Sequence, residues 1–229
     1  MRTVGERCPR TYSLNEGFFT TVDTPLKAYI LGFIAADGCI CRGRLQIALK
    51  REDRGHLERL AAAMGSNTPV GDYLATCGKK KVPYSVLMLH SKQLVADLAR
   101  LGIHPRKSHT VRPWDGPDEL MPAYWLGVMD GDGSLYEAKR DKNWRLGLVG
   151  NQMMTDGFRD FIQSRLGIAS NDAEQRRQSF IITWRKLPQV QAIVRLLYAD
   201  APMCLDRKKI KAQTILSRKA RCVYRDHSK

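Results

Sequence analysis

The chain has 229 residues, 43% hydrophobic and 27% charged, the profile of a globular protein able to bury one large core or two small ones. Lys and Arg number 38 against 23 Asp and Glu, and this net charge of +15 favours a polyanionic partner, nucleic acid before membrane. No apolar run approaches the ~18 residues that span a bilayer, and "MRTVGERCPRTYS" has no apolar signal core, so an intracellular protein, cytoplasmic or nucleoid-associated, is expected.

Residues 1–24 read as an N-terminal extension. Asp23 or Thr24 ahead of Pro25 marks a helix start, with proline in the first turn. The helix "AYILGFIAADG", residues 28–38, is apolar and ends on Asp37 and Gly38. A polar turn, "CRGR", leads into the strand "LQIALK", whose alternation sends Leu45, Ile47 and Leu49 inward and Gln46, Ala48 and Lys50 outward. A helical pattern follows in "REDRGHLERLAAAMG", then two strands around "GKKK", then the helix "SKQLVADLARLG" and the segment "HPRKS". "VRPWDGPDELMP", rich in proline, glycine and acids, reads as a linker.

The same order then begins again. "AYWLGVMDGDG", residues 123–133, aligns without gaps on the first apolar helix, with Asp132 falling 95 residues after Asp37. The strand "RLGLVG", the helix "TDGFRDFIQSRLG", the basic strand pair around "DAEQRRQSFIITW", the helix "LPQVQAIVRLLYAD" and the segment "LDRKK" complete the copy. The expected fold is therefore α+β: two pseudo-symmetric αββαββα repeats, 25–111 and 122–216, joined by a linker at 112–121 and followed by a basic tail at 217–229. Trp184 alternates with Phe180 and Ile182 and is expected in the core.

The repeated helices share a stripe of small residues four apart: Ala28, Gly32 and Ala36 in one, Ala123, Gly127 and Gly131 in the other. Such a stripe lets two helix backbones approach closely, and its duplication predicts that the two helices pack on each other about a pseudo-two-fold axis. Their ends would then bring Asp37 and Asp132 together. Paired carboxylates suit a hard divalent cation better than zinc, and a metal held there can activate water for phosphodiester hydrolysis.

These segments resemble the LAGLIDADG motif of homing endonucleases. "ILGFIAADG" and "WLGVMDGDG" each fill its nine positions. The resemblance implies a single chain acting as a pseudo-dimeric monomer, with no protein partner. Its antiparallel sheets would form a DNA-binding saddle around the two central motif helices. It also implies metal-dependent cleavage of both strands of a long double-stranded DNA target, leaving short 3′ overhangs. The cofactor implied is Mg²⁺, with Mn²⁺ or Ca²⁺ able to take the same sites. The metal site would take in Asp37 and Asp132, the eighth motif residues, with Ala36 and Gly131 just before them. One departure stands out: the sixth position, usually acidic, is Ala35 in the first copy and Asp130 in the second.

The family usually places a lysine late in each repeat, which falls on Lys107 and on Lys208, with Lys209 as a competing choice. Such a lysine could stabilise charge on the scissile phosphate. A water-positioning polar residue after the second strand falls on Arg51 and Gln152. DNA contacts are expected from the strands and their turns. In the first repeat the candidates are Arg42, Arg44, Gln46, Lys50, Lys79, Lys80 and Lys81. In the second they are Lys139, Arg140, Lys142, Arg145, Arg176, Arg177 and Arg185. Arginine and glutamine can read base edges in the major groove, while most basic side chains position the duplex through phosphates.

Other classes have less support. The six cysteines form no Cys-x-x-Cys pair and have no histidine at zinc spacing, so reduced structural thiols are expected. There is no P-loop, no GxGxxG and no nucleophile elbow for an enzyme of small anions. The alternative that remains is a non-cleaving nucleic-acid-binding protein on the same fold, an intron-splicing maturase or a regulator.

Overall fold

The computed structural model describes residues 11–78, 80–169 and 173–218. Lys79 and residues 219–229 of the basic tail lie outside the described residues. The helices are α1 (Pro25–Asp37), α2 (Arg54–Ala63), α3 (Lys92–Arg100), α4 (Met121–Gly131), α5 (Gln152–Leu166), α6 (Leu187–Tyr198) and α7 (Asp206–Ser217). The strands are β1 (Gly38–Cys41), β2 (Arg44–Lys50), β3 (Gly71–Cys77), β4 (Lys80–Leu89), β5 (Gly133–Glu137), β6 (Trp144–Gly150), β7 (Glu174–Arg176) and β8 (Ser179–Trp184). Both sheets are antiparallel and have the same topology, β1-β2-β4-β3 and β5-β6-β8-β7. This is the α+β fold of two like repeats read from the sequence. Among the described residues no helix is long and apolar enough to cross a membrane.

The chain divides into two compact units. Among the described residues, the first takes those up to Val22 and Asp37–Pro105; the second takes Asp23–Ala36 and those from Arg106 on. Helix α1 as far as Ala36 thus belongs to the second unit, with the other motif helix, and its last residue, Asp37, to the first.

In the first unit, Leu45, Ile47 and Leu49 on β2 pair with Leu89, Leu87 and Ser85 on β4 and face α2 and α3. Gln46, Ala48 and Lys50 point the other way, as the alternation predicts. The β1–β2 hairpin closes through Arg42 and Gly43, both at positive φ (50° and 72°), the geometry that matches strand twist in a two-residue loop. Residues 13–20 pack on this unit. Asn15 N donates to Met64 O (3.0 Å), Thr20 Oγ1 donates to Asp97 (3.1 Å), and Phe18 and Phe19 are buried.

In the second unit the core is aromatic. Trp125 of α4 lies 5.2 Å from Phe158 of α5, which meets Trp184 of β8 edge-on at 5.5 Å, so Trp184 is core as expected. Helix α1 begins where Lys27 N donates to Thr24 Oγ1 (3.3 Å). Residues 28–35 of α1 and 123–130 of α4 are all buried, as their all-round apolar sequences require. The repeats differ at one point. "DRKKIKAQTILS" forms the three-turn helix α7, whereas its counterpart after "PR" is a single 3₁₀ turn, Lys107–His109. Thr110, Val111 and Pro113 follow that turn, and two β-branched residues with a proline cannot extend it.

Candidate nucleic-acid and cation site

The motif helices meet through their glycines. A Cβ on Gly32 would fall on the Tyr124 carbonyl, and a Cβ on Gly127 would fall on that of Tyr29. The two contacts are equivalent residue for residue, as a pseudo-two-fold relation requires. Ala28 and Ala123, one turn earlier, are buried; Ala36 and Gly131, one turn later, are half-buried. Gly133 has a separate demand: a Cβ there would strike the Met129 carbonyl, so only glycine lets the chain leave α4 directly into β5.

The position at which the copies differ is filled from both sides. Asp130 is fully buried and accepts from Tyr29 Oη (2.8 Å), Tyr198 Oη (3.1 Å) and Leu205 N (2.7 Å). Burial pushes its carboxyl up from the ordinary value, against the pull of Lys208 and these donors. Its counterpart is Ala35, and Tyr124, the counterpart of Tyr29, hydrogen-bonds the backbone of Trp114 instead. Asp130 is thus a clamp within the helix pair, holding α1, α6 and the approach to α7.

Asp37 ends α1 and is half-buried. Asp132 caps α4 and lines a cavity of about 650 Å³ together with Ala36, Lys107, His109 and Asn151. It reaches solvent through this concavity. The enclosing protein still pushes its carboxyl up, while Lys107 and Lys208 draw it down.

Both lysines are buried and cap the motif helices. Lys107 Nζ donates to Ala35 O (2.6 Å) and Ala36 O (2.9 Å). Lys208 Nζ donates to Met129 O (2.5 Å), Asp130 O (2.7 Å) and Gly133 O (2.7 Å). An ammonium has three N–H bonds, so to reach a phosphate Lys208 would have to release a carbonyl. In this arrangement each cation satisfies the orphan carbonyls and the negative end of its helix.

Among the described residues no group of three or more His, Cys, Asp or Glu gathers to hold a metal. One or two carboxylates completed by phosphate and water oxygens form a smaller donor set of the kind Mg²⁺ accepts. Asp132 fits that set, because its exposed carboxylate is a hard donor at the cavity wall. Ala36 fits less simply, since its carbonyl already receives Lys107.

The remaining catalytic candidates are both exposed. Arg51 is exposed, 3.6 Å from Asp72, and Gln152 is exposed in the first turn of α5. Asn151, which sequence reasoning passed over, is buried in the cavity wall. It caps α5 by accepting from Met154 N (3.0 Å) and donates to Val111 O (2.8 Å). Asn directly before a helical run is a capping signal that could have found it.

The basic residues collect on the outward faces and tips of the sheets. Arg44, Gln46 and Lys50 project from β2, and Lys80 and Lys81 begin β4. Lys139, Arg140 and Lys142 form the β5–β6 loop; Arg145 lies on β6, Arg176 on β7 and Arg185 just past β8. Arg176 and Arg177 also reach the wall of the Asp132 cavity. Arg42, Lys142 and Arg177 hold positive φ (50°, 54° and 55°) at turns where glycine or asparagine would be unstrained.

Two motif helices packed glycine to glycine, each followed by an antiparallel sheet, make this the LAGLIDADG fold. The homing endonuclease I-WcaI, solved bound to its DNA recognition sequence, matches with TM-score 0.61 at 15% identity, covering 86% of this chain and 90% of that one. I-SmaMI, bound to an uncleaved DNA target in the presence of calcium ions, matches with TM-score 0.54 at 12% identity, covering 85% and 91%. Full-length DUF199/WhiA from Thermatoga maritima matches with TM-score 0.54 at 13% identity, covering 91% and 67%. No protein-family model matches the sequence, and no curated protein matches it.

Proposed function

We propose that this chain is a site-specific DNA endonuclease that hydrolyses both strands of a long duplex target and leaves short 3′ overhangs, acting as a monomer. The observation that carries this reading is Asp132, held at the end of a glycine-packed motif helix in a cavity it shares with Lys107. The DNA-bound homing endonucleases of the same fold and the net charge of +15 support it.

Asp132 supplies a carboxylate for a divalent cation, Mg²⁺ in the first instance, and Asp37 is its counterpart at the end of the first motif helix. When bound, that ion offsets charge on the phosphate and lowers the pKa of a water. Lys107 and Lys208 fix the helix ends and keep positive potential beside the carboxylate. Arg176 and Arg177, in the wall of the same cavity, hold backbone phosphates in this reading.

The test begins with a duplex site enriched by binding from a random library, then cloned into a plasmid. Expected are double-strand cuts with Mg²⁺, loss of cutting in Asp37→Asn and in Asp132→Asn, and retained binding in both. Affinity should fall steeply between low and physiological salt. Wild-type-like cutting by either variant counts against the assignment.

A second reading is a DNA-binding protein that does not cut. The engagement of both lysines by backbone carbonyls favours it. A bound site left intact with Mg²⁺ and with Mn²⁺ would select this reading.

A further inference from the structure

The outward faces of the two sheets are built on one topology, so their residues can be matched position by position. Aligning the pair Gly133↔Leu148 with Gly38↔Ile47, and Leu148↔Ile182 with Ile47↔Leu87, sets Arg145 against Arg44, Arg185 against His90, and Arg176 against Tyr73. Gly147 stands against Gln46, and Ser179 against Tyr84. The two faces share an arginine at Arg44 and Arg145 and differ at the other four matched places.

The second face is a concave groove of about 400 Å³ whose polar walls include Arg145, Arg176, Arg185 and Glu174. Arg145 and Arg185 lie opposite each other, one step beyond the last ladder pair, Leu146↔Trp184. Like charges directly opposite are unfavourable in a sheet, and Asp141 of the β5–β6 loop and Glu174 of β7 relieve them only in part. Asp141 receives Arg145 Nη2 at 2.6 Å, and Glu174 receives Arg176 through two bonds of 3.1 and 3.2 Å. A guanidinium held on one side by a carboxylate keeps its other N–H bonds in a fixed direction, which lowers the entropy lost on recognition.

The first face carries a guanidinium at the place of Arg145, that of Arg44, whose Nε is buried with no hydrogen-bond partner, whereas Arg145 is held by Asp141. Gln46 and Ala48 project from β2. Val82 is 42% exposed, and Tyr73 is 45% exposed with its ring 5.7 Å from that of Tyr84. In the major groove a paired arginine reads guanine O6 and N7, glutamine reads adenine N6 and N7, and small apolar groups meet the thymine methyl.

We infer that the two sheets select different base composition: the tract under the second sheet is read through guanine by Arg145 and Arg185, and the tract under the first is read as A·T through Gln46 and the apolar side chains beside it. This rests on the DNA-binding reading above and deepens it, since it describes the target as two unlike tracts.

The experiment is selection of a random duplex library by the full chain at about 0.1 M salt, with sequencing of the bound pool and a parallel gel-shift on unselected duplex. Expected are two tracts, one enriched in guanine and one in A·T. Arg145→Lys and Arg185→Lys keep the charge but lose the fork. They should erase guanine preference at their positions, roughly 5- to 150-fold each, and leave the A·T tract unchanged. Gln46→Ala should relax only the A·T tract. Salt-sensitive binding with two tracts of equal composition, or guanine preference that survives both lysine variants, overturns this inference alone. Absence of any salt-sensitive binding, even to unselected duplex, overturns the DNA-binding reading itself.

Discussion

The Tyr29 hydroxyl donates to Asp130 across 2.8 Å, tying the first motif helix to the second at the position where only the second carries an acid. The asymmetry of the two motif copies is thus a structural device. Asp130→Ala strands two phenols and the Leu205 N–H in the core, and is expected to cost about 3 kcal/mol or more, by urea unfolding. Asp130→Asn keeps an acceptor for Leu205 and should cost about 1 kcal/mol. Tyr29→Phe should matter in the wild type and add little in the Asp130→Ala background; full additivity would deny the coupling.

At the glycine crossing the helices have no room for a methyl group. Gly32→Ala and Gly127→Ala each set a Cβ against backbone, so the helices must separate, at about 3 kcal/mol or more. In a chain of 229 residues that is a drop of roughly 6–12 °C in Tm. Gly55→Ala, in the first turn of α2 with only the tip of Arg59 near, is the control and should be neutral or stabilising by about 0.5–1 kcal/mol.

Much of this was legible because it is periodic. The 3.6-residue and 2-residue patterns gave α1 through β4 and their copies in order, and "CRGR" announced its hairpin through Gly43. The small-residue stripes pointed to the helix pair, since close approach leaves its mark on composition. Other features depend on tertiary neighbours that no local pattern encodes. Lys107 and Lys208 look alike in any basic segment until the carbonyls they cap are seen. Nothing local says that Asp130 will be met by Tyr29 from one side and Tyr198 from the other. The missing counterpart of α7 was readable in part, from Val111 and Pro113.

Asp97 gives the first unit an acid limit. Burial raises its pKa, but hydrogen bonds from Arg100, Gln93 and Thr20 outweigh that and hold it below the usual carboxylate range. A depressed folded pKa means the unfolded chain takes up the proton first. Its contribution is complete above about pH 4 and is lost as pH falls through the folded value. Urea unfolding of Asp97→Asn should therefore show a smaller stability difference between pH 7 and pH 3 than the wild type, and an equal difference would contradict the assignment.

Arg42 separates the demands of folding and binding. It occupies the left-handed region at a hairpin tip, where a side chain costs about 1 kcal/mol and the next residue, Gly43, is also at positive φ. Folding alone would place glycine or asparagine there, so a basic residue implies another use, and the exposed tip suits a phosphate. Arg42→Gly should stabilise the chain by up to about 1 kcal/mol while weakening DNA binding. The loss should be uniform across sequences, and the slope of log affinity against log salt should shrink by about 0.9, one phosphate contact. Calorimetry and binding titrations at three salt concentrations check both halves. A gain in stability with unchanged binding would leave Arg42 as a strained surface residue with no part in holding the duplex.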